Sequence, residues 1–228
     1  MKPGTSEAEA LAFDRAVSDL DGPSYDVINP ALKVIIAGGR RASETAKTAA
    51  ASAIHRLMID PSFHQRCLIG DDENYTERDC WQALGSLGLA ARRAAPLLRQ
   101  KIEKLWSEGR NDDPALSVLA AISPEDAVPL LRQAIEKRWS QGWGYVAYLV
   151  GVLGTISPKD ALAYCSRSLT EKSSNDYDWP AVQSAFNLGK DAIPTLEEFC
   201  GIFSGRRGKA CAAAVTALRN GENRFYLP

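Results

Sequence analysis

A thirteen-residue segment that recurs 33 positions later constrains this chain more than any other feature. Residues 97–109 read LLRQKIEKLWSEG and residues 130–142 read LLRQAIEKRWSQG, with ten of thirteen positions identical. A period of that length belongs to stacked supersecondary units, each unable to bury its apolar face alone. The pattern also extends upstream. Ala83-Leu84-Gly85-Ser86-Leu87-Gly88 precedes the first segment, and Leu116-Ser117-Val118-Leu119-Ala120-Ala121-Ile122 precedes the second. A third copy runs from Leu149 to Tyr164 and a fourth from Ala185 to Leu196. The equivalent positions 96, 129, 163 and 194 are spaced by 33, 34 and 31.

Each unit reads as helix, tight turn, helix. Ser123-Pro124-Glu125-Asp126 and Ser157-Pro158-Lys159-Asp160 supply turns: serine caps, proline is preset for the first helical position, and the acids suit the positive helix end. Pro96, Pro129 and Pro194 are expected about one turn into the second helix, where a missing amide donor matters little. Gly109 and Gly142 end second helices in the manner of glycine just past a C-terminus. Leu98, Ile102 and Trp106 follow i, i+4, i+8 spacing, and Leu131, Ile135 and Trp139 repeat it. Both rows are predicted to be buried, so Trp139→Ala is expected to cost roughly 3–5 kcal/mol, as for a large aromatic in a packed interior.

The Ala-Leu-Gly-Ser-Leu-Gly run, its alanine-rich flanks and the Pro-Leu-Leu that follows resemble the HEAT-like repeats seen in phycobilisome-lyase-type and related bacterial proteins. The resemblance covers residues 80–204 and implies an all-α fold, a right-handed α-α superhelix of about five helical hairpins in one domain. Residues 1–40 are expected to form an irregular N-terminal helical cap, 41–204 the repeats, and 205–228 a C-terminal capping helix and tail. In the cap, Ser6 to Leu20 reads as a helix, Asp21-Gly22-Pro23 as a break, and Ile28 to Ile36 as a second helix with Pro30 as its starter. Two features depart from the family: the Asp followed by Val-Arg at the entry to the next repeat is blurred, and the loops are longer and more acidic. The fold therefore transfers more safely than any activity.

Composition narrows the function classes. The chain has 228 residues, with 27 Lys plus Arg against 28 Asp plus Glu and a formal net charge of −1. A dedicated nucleic-acid binder carries a basic excess. Residues 139–158 include no charged residue up to Pro158, but only Tyr145 to Ile156 is continuously apolar or small, too short to span a bilayer. The N-terminus has no apolar core of a signal peptide. Cys67, Cys80, Cys165, Cys200 and Cys211 form no C-x-x-C pair and each sits in or beside an apolar helical pattern. This usage points to reduced, packed thiols and a cytoplasmic location.

Nothing in the spacing identifies a catalytic centre, a metal site or a cofactor. The only histidines, His55 and His64, lie nine positions apart and share no helical ligand face. HEAT-like hydroxylases hold iron with His-Glu pairs, and no such pair occurs. Walker-type, G-x-G-x-x-G and G-x-S-x-G patterns are absent. A comparison from another class is the DNA-alkylation glycosylases built on HEAT-like stacks, which use exposed aromatics and an Asp beside a basic track. Arg92, Arg93, Arg99, Lys101, Lys104, Arg132, Lys137 and Arg138 offer cations, but Glu103, Glu108, Glu125 and Glu136 intersperse them, whereas a phosphate track is more one-sided.

One of two surfaces is therefore expected to hold one protein partner, the concave face or the acidic and aromatic loop edge. Arg99, Gln100, Glu103 and Lys104 recur as Arg132, Gln133, Glu136 and Lys137, predicting polar columns on the second helices, which in resembling proteins line the concave face. The plainer alternative is a solvated face whose acids and bases neutralise each other. The loops between units are acidic and aromatic. In them Asp113 and Asp178 suit helix caps, while Asp72, Tyr75 and Tyr177 are less explained by capping and are candidate contacts. The resulting expectation is a non-enzymatic protein-interaction module of the adaptor or bacterial immunity kind.

Overall fold

The computed structural model describes residues 6–60, 62, 73–110, 113–141, 143–170, 178–202, 206–222 and 224. Among them every regular element is a helix. The chain packs as two compact units, Met1–Ala127 and Val128–Pro228.

In the first unit, α1 (Glu7–Asp19) begins at a reciprocal cap. The Glu9 N–H donates to the Ser6 hydroxyl at 3.2 Å, and the Ser6 N–H donates to the Glu9 carboxylate at 3.0 Å. The next helix, α2 (Tyr25–Gly38), starts earlier than expected, so Pro30 lies inside it and does not open it. Magnitudes explain why the helix tolerates this. An interior proline costs about 3 kcal/mol. Ile28, Leu32 and Ile35, each fully buried on one face, return roughly 1.5–3 kcal/mol apiece. The Ser43 hydroxyl caps α3 (Glu44–Ile59), accepting from the Ala46 N–H at 3.2 Å.

Beyond lie α4 (Glu73–Leu87), α5 (Ala95–Ser107) and α6 (Asp113–Ile122). Among the described helices, α2 and α3 both pack on α4, and α4 packs on α6, the helix two along. Leu84, Leu98, Ile102, Leu116, Leu119 and Ile122 form the fully buried centre. The α4–α5 joint turns on Gly88, whose φ of +61° suits a residue without Cβ. A 3-10 segment, Gly88–Ala94, then takes the place expected for the first turn of the second helix, leaving Pro96 in the opening turn of α5. At the far end of α5, the Arg110 N–H donates to the Leu105 carbonyl at 2.8 Å and the Gly109 N–H to that of Trp106 at 3.1 Å. With Gly109 at φ +73° this is a Schellman ending.

The division between the units falls within α7 (Pro124–Trp139). The second unit continues with α8 (Trp143–Ile156), α9 (Pro158–Thr170), α10 (Asp178–Asn187), α11 (Ile193–Ile202) and α12 (Arg206–Asn220). Here too the helix two along is a neighbour: α8 packs on α10 and α10 on α12, while α9 packs on α8 and α10. The uncharged stretch is thus a core helix, with Val146, Leu149, Val150 and Leu153 buried. No helix among the described residues is long and apolar enough to cross a membrane. The α10–α11 joint repeats the first unit's device, with Gly189 at φ +79° followed by a 3-10 segment, Gly189–Ala192.

The α6–α7 and α8–α9 joints use Ser-Pro-x-Asp. The Ser123 and Ser157 hydroxyls each donate to the carboxylate three residues on, Asp126 and Asp160, at 2.6 Å. The helices then start directly at Pro124 and Pro158, as the sequence predicts.

The apolar stripes are only partly as expected. Leu98, Ile102, Leu131 and Ile135 are fully buried, but Trp106 and Trp139 are half-buried. A step of four residues rotates about 40° past a full turn, so two steps carry the tryptophans about 80° off the core line, whereas a step of seven returns to within about 20°. The seventh position after Leu98 is Leu105 and after Leu131 is Arg138, and both are buried, at 8% and 7% exposure.

Candidate functional site

The polar residues of α7 and α9 in the second unit form one connected face. Arg132, Glu136 and Trp139 stand at i, i+4, i+7 on α7, and Asp160, Tyr164 and Arg167 stand at the same spacing on α9, which places each trio on one side of its helix. The two rows interlock. The Arg132 guanidinium donates to Asp160 at 2.6 Å. Arg167 donates to both Glu136 oxygens, at 2.8 and 3.0 Å. The same guanidinium lies over the Trp139 ring, 4.2 Å from its centroid, within cation–π range. The Trp139 and Tyr164 rings are 5.7 Å apart and tilted by 40°.

The electrostatics follow from these contacts. Asp160 is held below the usual carboxylate range, first by the Ser157 hydroxyl and then by Arg132. The Tyr164 hydroxyl is pushed up to about 12, chiefly by burial and then by the hydrogen bond it donates to Glu136. Both effects favour the charged, accepting form of Asp160 and the neutral, donating form of Tyr164. Cys165, next to Tyr164, is buried and its thiol is also raised to about 12 by burial, so it stays a protonated packing residue.

The candidate residues from the sequence fare unevenly. Arg132 and Glu136 are brought into the α7–α9 face. In the first unit, Arg99 and Glu103 pair with each other within α5 at 2.8 Å, and the nearby Glu103 raises the Arg99 guanidinium above its ordinary value. Repeat equivalence accounts for the difference: the counterpart of the row Asp160-Tyr164-Arg167 is Asp126-Leu130-Gln133, which has no second cation. Asp72 and Tyr177 lie outside the described residues, and Tyr75 belongs to α4 but its side chain lies outside them too. His55 sits in α3, and His64 is outside the described residues.

Asp160, Tyr164, Arg167 and Trp139 were not among the site candidates. Asp160 reads as a cap and Trp139 as core when each is judged alone. The available signal was the matched i, i+4, i+7 spacing of two rows whose order is shifted by one position, basic-acidic-aromatic on α7 and acidic-aromatic-basic on α9. Among the described residues, no group of three or more His, Cys, Asp or Glu side chains is arranged to hold a metal ion. Comparison with protein-family models, with curated proteins and with solved structures finds no significant match.

Proposed function

We propose that this chain is a non-enzymatic protein-interaction module, an adaptor or immunity-type protein. In this reading it is built as a right-handed superhelix of HEAT-like hairpins, works in the cytoplasm, and holds one protein partner on the faces of its second helices. The repeated segment and the packing of α4 on α6 in the first unit, and of α8 on α10 and α10 on α12 in the second, support the stacked-hairpin part.

The single observation that carries the binding part is the α7–α9 face. It presents charges of both signs, fixed in place by one another, around two half-buried aromatic rings. Such a surface recognises by complementary charge and shape, with an aromatic and an arginine at its centre. The same pairing weighs against a duplex-DNA groove. Arg92 meets Glu125, Lys101 meets Glu77, Arg132 meets Asp160, and Arg138 is buried, so few of the cations named above remain to form a one-sided phosphate track.

The test is recovery of the tagged chain from native extract after nuclease digestion, with Arg132→Glu and Arg167→Glu variants run in parallel. One stoichiometric protein, retained by the wild type and lost from both variants while their circular dichroism stays helical, is the expected result. Retention that disappears with nuclease, or a partner held equally by all three chains, overturns the reading.

A further inference from the structure

We infer that a pocket in the first unit, separate from the α7–α9 face, binds a small organic carboxylate with an apolar body. The pocket lies between α4, α5 and α6 and has a volume of about 260 Å³. Its floor is core: Trp81, Leu105 and Val118 are only 5%, 8% and 8% exposed. Its wall carries an ordered polar trio. Glu77 accepts from the Trp81 indole N–H at 3.3 Å and, at the same oxygen, from the Lys101 ammonium. The Lys101 and Glu77 side chains are only 27% and 23% exposed.

The consequence is a lysine fixed before any ligand arrives. Trp81 holds Glu77, Glu77 holds Lys101, and the ammonium is already partly stripped of water. An ammonium has three donors, of which this pairing uses one. A ligand anion would therefore meet a preorganised donor in a poorly hydrated setting, where a charge-assisted hydrogen bond is strong and little side-chain entropy remains to be lost. Arg78 and Arg110 also line the pocket, Arg110 with Glu108 as its ion-pair partner at 3.6 Å. A cavity of about 150 Å³ accepts benzene, so the volume here suits an aromatic ring or short branched chain bearing an acid group. That chemistry has two sources, a free small acid or the terminal residue of a polypeptide.

The experiment titrates the full chain with phenylacetate, with its uncharged analogue phenylacetamide, and with N-acetylphenylalanine, following binding by calorimetry or NMR shifts. Saturable phenylacetate binding is expected, weakened about tenfold or more in phenylacetamide and in Lys101→Met, and unchanged in Arg15→Gln, an exposed position on α1. Tighter binding of N-acetylphenylalanine assigns the pocket to a chain terminus, and tighter binding of phenylacetate assigns it to a free acid. Equal binding of acid and amide overturns the proposal, as does a natively folded Lys101→Met with undiminished affinity. So does the absence of saturation up to about 10 mM, far weaker than specific small-ligand affinities. Should Lys101→Met fail to fold, Arg110→Gln decides: a several-fold loss supports the pocket, and unchanged affinity removes it.

Discussion

At the scale of single residues, position on the helix outweighs residue type. Trp139 is a residue type suited to a core anchor, yet its place about 80° off the buried line leaves it only half-buried, with Arg167 on its face and Tyr164 at its side. Trp139→Ala is therefore expected to cost about 2 kcal/mol in urea denaturation, below the roughly 3–5 kcal/mol of a fully buried tryptophan. Asp160 gives a pH-dependent prediction. Its folded pKa lies below the unfolded value near 3.8, so the ionised carboxylate stabilises the fold fully above that value. The contribution is lost as pH falls through the lowered folded value. Asp160→Asn should thus flatten the loss of stability between about pH 5 and pH 2. A variant whose acid limb matches that of the wild type would show that Asp160 is not stabilised by Ser157 and Arg132.

At the scale of elements, the chain uses two kinds of hairpin joint, and each was legible to a different degree. Ser-Pro-x-Asp announces a helix start by local chemistry alone, and α7 and α9 begin where that chemistry places them. The Leu-Gly joints before Pro96 and Pro194 carry no such cap. They turn by left-handed glycines and tighten into 3-10 segments, a geometry that depends on how the following helix packs. Gly189→Ala tests this. Nothing lies within 4 Å of an added Cβ there, so the expected destabilisation of about 1–2 kcal/mol comes from backbone conformation alone. An unchanged melting temperature would mean that the joint adopts another conformation at no cost.

At the scale of the whole molecule, charge is the informative quantity. A net charge of −1 combined with arginines already committed to acids predicts poor affinity for polyanions. Fluorescence anisotropy with a labelled duplex at physiological salt should give a dissociation constant no tighter than the roughly 10⁻⁴ M of weak non-specific binding. Tighter, salt-sensitive binding would restore the DNA-repair-like alternative. Among the described cysteines, Cys80, Cys165 and Cys211 are buried packing residues.

By itself the sequence determined the helical class, the serine-capped joints and the fully buried positions Leu98, Ile102, Leu131 and Ile135. All of these arise from local propensity and periodicity, which neighbours in the chain set. Only the tertiary structure decided which partner each charge takes. Arg99 bonds within its own helix while its repeat equivalent Arg132 reaches Asp160 on another. It also decided that Glu77, Trp81 and Lys101 converge on one pocket although Lys101 is 24 residues from Glu77. A long charged side chain has many rotamers and several acids within reach, and their energies differ by less than about 1 kcal/mol at a surface. The choice among them is therefore made by where packing brings the next helix.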